Sequence, residues 1–157
     1  MVKFMERMVK MKISTRIRYG TRLMLDMAQH YEQGPIKLGD IANRQKISLK
    51  YLEQIIISLK KAKLIKSVRG PKGGHLLAKS PKEITVAEIV RLLEGGISIM
   101  RCIDYPQTCS RSDTCLTRQV WMEARQAMND KLESLTLWSL VQRGIEDEKT
   151  RTAGKVC

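Results

Sequence analysis

The stretch LGDIANRQKISLKYLEQIIISLKKAKLIKSVRGPKGGHLLAK, residues 38–79, decides the fold. Leu38, Ile41 and Ala42 stand at helical spacing and predict a short helix over about 38–44. Gln45 to Ser48 forms a tight link. Ser48 then caps a second helix to about Ala62, with Leu52, Ile55, Ile56 and Leu59 on its apolar face. Short helix, brief turn and capped helix have the spacing of a helix-turn-helix. The second helix turns Lys50, Tyr51, Glu53 and Gln54 outward near its start, where a recognition helix presents side chains to base edges. Two β-compatible runs follow, residues 64–69 and residues 75–78, separated by the tip GPKGG. They predict a β-hairpin, which after a helix-turn-helix is a wing. Arg69 and Lys72 charge its tip, and glycine there permits close backbone approach to a ligand.

Upstream, Ser14 caps a helix expected to run to about Tyr31. Its apolar residues Ile17, Leu23, Met24, Met27 and Ala28 share one face, and Gly34-Pro35 stops it. Met11 reads as a natural start, which makes residues 1–10 an extension. Downstream, Thr85-Val86-Ala87-Glu88 is a capping box opening a helix through about Glu94, ended by Gly95-Gly96. After Cys115 a long helix runs to about Leu135. Trp121, Ala124, Met128, Leu132 and Leu135 form a coiled-coil-like seam on it, read here as a dimerisation surface. Thr136 caps a short last helix with Leu137, Trp138, Leu140 and Val141, and a flexible tail is expected from Gly144.

Charge divides the chain. Residues 1–80 carry 18 Lys/Arg against 5 Asp/Glu, whereas residues 81–157 carry 11 of each, so the net +13 belongs to the first half. A localised basic module is the footprint expected for a phosphate backbone. No run approaches the ~18 apolar residues of a membrane span. The charged N-terminus has no apolar core of a secretory signal. A cytoplasmic protein with no membrane partner is expected.

Between the two halves lies RCIDYPQTCSRSDTCLTR, residues 101–118, with Cys102, Cys109 and Cys115. Its Pro, Ser, Thr and Asp content reads as loop. In a reducing compartment, clustered cysteines are metal ligands or redox centres more often than disulfides. An iron–sulfur cluster, zinc and reversible thiol oxidation all remain open from the residues alone. An enzyme is not expected: the chain has no Cys-x-x-Cys, no phosphate-binding glycine loop and no evident Cys/His/acid set.

These residues together resemble the Rrf-type family of bacterial winged-helix regulators, the IscR/NsrR group. The strings that carry the resemblance are MKISTRIRYGTRLMLDMA, residues 38–79, ITVAEIVRLLEG and CLTRQVW, and they span about Met11 to Val141. The resemblance implies a mainly α fold: a winged helix-turn-helix with a small β-hairpin wing and a long C-terminal dimerisation helix. The units are an extension (1–10), a DNA-binding domain (11–80), the cysteine loop with dimerisation helices (81–143) and the tail (144–157). It implies a bacterial homodimer bound to double-stranded operator DNA. It places Ser48, Lys50, Tyr51, Glu53 and Gln54 in or beside the major groove and Arg69 and Gly70 at the wing contact. It makes Cys102, Cys109 and Cys115 ligands of an iron–sulfur cluster, 2Fe-2S or 4Fe-4S. Operator binding modulated by that cluster is the function it implies; the alternative is sensing through zinc or thiol oxidation without a cluster.

Two departures from the family pattern stand out. The first cysteine spacing is one residue longer than in IscR. Arg118 holds the position where IscR-like members can use a His, and Arg18 the position where some relatives use an acidic residue of the first helix. Guanidinium offers no lone pair, so neither is a fourth ligand. Asp104, Asp113, His30, a water or a small thiol are the remaining candidates. His75, in the wing, reads as a packing or DNA-side residue.

Overall fold

The computed structural model describes residues 13–153. The expected extension 1–10 and the lone thiol Cys157 lie outside them. The order is α1 (Thr15–Gln29), α2 (Leu38–Gln45), α3 (Leu49–Lys61), β1 (Ile65–Val68), β2 (Gly74–Leu77), α4 (Val86–Glu94), α5 (Arg101–Asp104), a 3-10 turn (Pro106–Thr108), α6 (Leu116–Glu133) and α7 (Leu137–Ala153). The fold is the mainly helical winged helix-turn-helix that the sequence predicts. Among the described residues no helix is long and apolar enough to cross a membrane.

The caps explain where the helices begin. Ser14 Oγ accepts the Ile17 N–H at 3.1 Å and donates to Glu94 Oε1 at 2.7 Å, tying the start of α1 to the end of α4. Thr85 Oγ1 accepts the Glu88 N–H at 3.1 Å, but the Glu88 carboxylate pairs with Lys79 at 3.0 Å. Only half of the expected box therefore forms. Ser48 precedes α3 without a side-chain cap bond, so its hydroxyl is not committed to starting that helix. The wing strands are antiparallel, Ile65 opposite Leu77 and Val68 opposite Gly74. Ile36 adds a third short strand contact, exchanging N–H···O bonds of 2.9 and 2.8 Å with His75.

One hydrophobic cluster runs across the expected boundary at residue 80. Leu23, Met24 and Met27 of α1 and Leu52, Ile55 and Leu59 of α3 share it with Ile84, Ile89, Leu93, Leu137 and Val141. Gly20 makes the α1–α4 approach feasible: a Cβ there would sit 2.2 Å from Leu93 Cδ1. The basic half is thus not complete by itself.

Two further expectations are corrected. The cysteine segment is not loop throughout, because α5 and the 3-10 turn lie within it. Ile103 is buried, Pro106 opens the 3-10 turn, and Arg125 of α6 pairs with Asp104 at 2.9 Å, which together hold these turns. The last helix is not short, and the chain from Gly144 to Ala153 is not irregular: α7 continues through it. The run IEDEKTRTA has no proline or glycine, and its charged residues favour an exposed helix. The start of α7 is stitched to the segment before α4 by Val86 N–H to Leu135 O (2.8 Å) and Leu137 N–H to Ile84 O (2.9 Å). Leu137 and Val141 then bury against the core.

Candidate functional site

The outward side of α3 carries Lys50, Glu53 and Gln54 exposed, with Ser48 exposed just before the helix. Tyr51 is half-buried because its ring meets Tyr19 of α1 edge to face, centroids 5.7 Å apart at 85°. Thr15, Tyr19, Lys46, Ser48, Lys50, Tyr51 and Gln54 line an open cleft of about 410 Å³. The predicted major-groove residues therefore lie together, at the N-terminal end of a helix whose opposite face is core. That end offers polar and cationic groups to a polyanion. Arg69 and Gly70 are exposed at the wing tip, with Gly70 at φ +112°. His75 is in β2, opposite Ser67 of β1, its Nδ1 3.1 Å from Ser67 Oγ. Burial first, and then the charge of Lys60, pushes its pKa below the usual histidine value.

Sequence reasoning missed what holds this surface in place. Asp26 of α1 is 1% exposed. Its carboxylate accepts from Arg44 Nε (3.1 Å) and Nη2 (2.5 Å) and from Gln45 Nε2 (2.8 Å). Burial pushes its pKa up, but those donors and the charges of Arg44 and His30 outweigh burial and hold it below the usual carboxylate value. The available signal was an acid inside the apolar run LMLDMA. Its partners lie 18 and 19 residues away, beyond any helical spacing rule.

The three loop cysteines are free thiols, each half-buried. Cys102 is in α5, Cys109 follows the 3-10 turn and Cys115 is the N-cap residue of α6. Among the described residues no three His, Cys, Asp or Glu side chains are gathered so as to hold a metal ion. The donor types suit an iron–sulfur cluster or zinc; their arrangement here does not converge on one. Arg118 ties the loop instead, donating to the Cys102 carbonyl at 3.1 Å and to the Ser112 carbonyl at 3.4 Å. Of the candidate fourth ligands, Asp104 is engaged by Arg125 and by Ser98 at 2.5 Å, and Asp113 accepts from Ser112 at 3.3 Å. His30 Nδ1 faces the Asp26 carbonyl at 2.8 Å. The Cys115 thiol is held below the usual thiol pKa, by the Thr117 hydroxyl 3.1 Å away and then by the Arg118 N–H at the helix start.

Helix α6 has no buried residue. Leu116 is 75% and Val120 59% exposed, and Trp121 is exposed beside them. Met128 and Leu132, farther along the expected seam, are half-covered by the chain itself.

A basic helix-turn-helix followed by a charged hairpin defines a winged-helix, DNA-binding regulator of transcription. Residues 13–143 match the family described as Rrf2, iron-dependent transcriptional regulator. Protein rrf2 of Nitratidesulfovibrio vulgaris is 44% identical over 132 residues, covering 84% of this chain and 88% of that protein. Among solved structures, T. potens IscR is 38% identical with a TM-score of 0.72, covering 86% of this chain and 89% of that one. CymR, the global cysteine regulator of B. subtilis, is 36% identical with a TM-score of 0.73, covering 84% and 97%. The chain belongs to the Rrf2 family of transcriptional regulators. That family is described as regulators of transcription, consistent with the expectation that the chain is not an enzyme.

Proposed function

We propose that this protein is a homodimeric, operator-specific regulator whose DNA affinity is set by an iron–sulfur cluster on Cys102, Cys109 and Cys115. Ser48, Lys50, Tyr51, Glu53 and Gln54 read the major groove, and Arg69 and Gly70 take the wing contact. Two copies meet through the apolar face of α6, where Leu116 and Val120 are otherwise left to water. In a two-fold dimer the two α3 helices address successive major grooves, about 34 Å apart.

The observation that carries this reading is the position of Cys115, which is both a loop thiol and the first cap of α6. Whatever draws the three sulfurs together acts directly on the dimer helix. A bound cluster would supply a centre whose loss is chemically easy to trigger. The chain's own part is to close the segment between Cys102 and Cys115, overcoming the Arg118 strap, and to pass the change to α6. Differential DNA binding of the two loop states is then the switch.

Iron status, oxygen and nitric oxide are all compatible signals. The test is anaerobic reconstitution followed by absorption spectroscopy and counts of iron, sulfide and zinc, on the unaltered protein and on Cys102, Cys109 and Cys115 variants. Visible absorption with matched iron and sulfide, lost in each variant, is expected. A colourless protein after reconstitution overturns the cluster.

A second reading, thiol sensing, is supported by two features: the three loop thiols are free, and the Thr117 hydroxyl and Arg118 N–H hold the Cys115 thiol below its usual pKa. CymR, the global cysteine regulator, is among the similar structures. In that case peroxide oxidises one thiolate to a sulfenic acid, and a second loop thiol displaces water to form a disulfide. Mass spectrometry after peroxide treatment would find that disulfide, and the zinc count would separate the remaining alternative.

A further inference from the structure

Tyr19, Arg22 and Asp26 stand three and four residues apart on α1 and therefore share one stripe. Each reaches a different part of the helix-turn-helix. Asp26, fully buried, holds Arg44 and the side-chain nitrogen of Gln45. Arg22 donates its Nε to the other end of the same amide, Gln45 Oε1, at 3.1 Å, and its Nη2 to the Gln45 backbone carbonyl. Gln45 is thus fixed at three points. It is also the last residue of α2, and the chain turns at the next residue, Lys46, with φ +53°. Three residues later α3 begins. Where Gln45 sits sets where α3 starts and how it is inclined. The Arg22 guanidinium also lies 5.7 Å from the centroid of the Tyr19 ring, and Tyr19 supports Tyr51.

A buried ion pair is weak grounds for stability, since apolar side chains of similar volume often do as well. What apolar packing cannot supply is a fixed direction at both ends of an amide. We propose that Arg22 is a positioning residue for DNA recognition: through Gln45 and Tyr19 it holds α3 and Tyr51 in the orientation that discriminates operator from other DNA. This rests on the reading that the start of α3 faces the major groove. Arg22 makes the contribution without touching a base. Its guanidinium is spent on Gln45 and on the Tyr19 face, and the more exposed Arg18, 4.8 Å from the same ring, is the one placed toward solvent.

The experiment compares two duplexes of equal length: one selected from a random pool by the unaltered protein, and a scrambled duplex of the same composition. Affinities for both are measured across a salt series for the full chain, for Arg22→Met, Tyr51→Ala and the double variant, with thermal melting of each. Arg22→Met is expected to lower the selected-to-scrambled ratio about tenfold, with scrambled-DNA affinity and the salt slope nearly unchanged. In the Tyr51→Ala background the same change is expected to cost less than about twofold, because the two act as one unit.

Equal loss on both duplexes with a shallower salt slope would make Arg22 a phosphate contact and overturn the proposal. Independent, multiplying effects of the two substitutions would overturn it as well. An unchanged ratio in Tyr51→Ala alone would instead remove the major-groove reading, and this inference with it. Arg22→Lys keeps the charge but cannot serve both Gln45 oxygens in the fork geometry. It should lose discrimination likewise, and it carries the test if Arg22→Met does not fold.

Discussion

The helix-turn-helix and the cysteine segment are built by opposite rules. In the first, every position that must hold still is held several times over. Leu23, Ile41, Leu52, Ile55 and Leu59 are fully buried, and a carboxylate in the same region takes three hydrogen bonds. In the second, from residue 97 to Cys115, Ile103 is the one buried side chain, and two bonds from Arg118 and one from Arg125 do the tying from α6. Burying a Leu or Ile side chain contributes roughly 1.5–3 kcal/mol, so the first region has many such terms and the second one. The difference teaches where change is affordable. A region fixed by many buried side chains resists displacement, whereas one tied by a few hydrogen bonds changes shape at small energetic cost.

The sharpest way to break the comparison is to weaken each region once. Leu52→Ala should cost about 2–5 kcal/mol, through lost burial and the cavity left between α3 and the core. Cys109→Ala, half-exposed and outside the core, should stay within about 0.5 kcal/mol. Chemical denaturation of both variants gives the two numbers. Comparable costs would mean that the loop is as much a part of the core as the recognition helix.

Acid should separate the regions next. The Asp26 carboxyl has a lower pKa folded than unfolded, so its stabilisation is fully present above the unfolded value, about 4. That contribution is lost as the pH falls through the lower folded value. The melting temperature should therefore drop as the pH falls below about 4, and Asp26→Asn should flatten this part of the profile. Hydrogen exchange in the same range should open α2 and the turn before α3 ahead of α6. A profile identical in the Asn variant would assign the acid sensitivity to other carboxylates.

The smallest expected effect concerns two caps that look alike in sequence. Thr85 accepts the Glu88 N–H and also donates to Glu133 of α6 at 3.1 Å, so Thr85→Ala should cost about 1 kcal/mol. Ser48 makes no cap bond, and Ser48→Ala should cost only a few tenths. If Ser48→Ala nevertheless weakens operator binding several-fold, the hydroxyl is reserved for DNA. Thermal melts and operator titrations on the pair measure both quantities.

Local chemistry made much of this legible. Turn residues, caps and periodicity placed α2, α3, the hairpin, α4 and the start of α6, because each of those signals lies within a few residues of the feature it predicts. The three cysteines and the exposed residues at the start of α3 were legible as candidates for the same reason. The Asp26 network was not, since its donors come from another helix. The shared core across residue 80 was not, because the spacing of Leu137 and Val141 marks an apolar face without saying which helix covers it. The last ten helical residues of α7 look like a solvated tail by composition and become helix once their start is anchored.

By itself, then, the sequence determined the kind of elements, the seat of positive charge and the inventory of reactive side chains. All three follow from propensity, net charge and residue type. Tertiary structure alone decided that Arg22 and Asp26 of α1 hydrogen-bond Gln45 at the end of α2, that α4 and α7 share the core of the helix-turn-helix, and that among the described residues the loop cysteines form no group of three ligands for a metal ion. Those are statements about distance between residues remote in sequence, which no short-range rule contains.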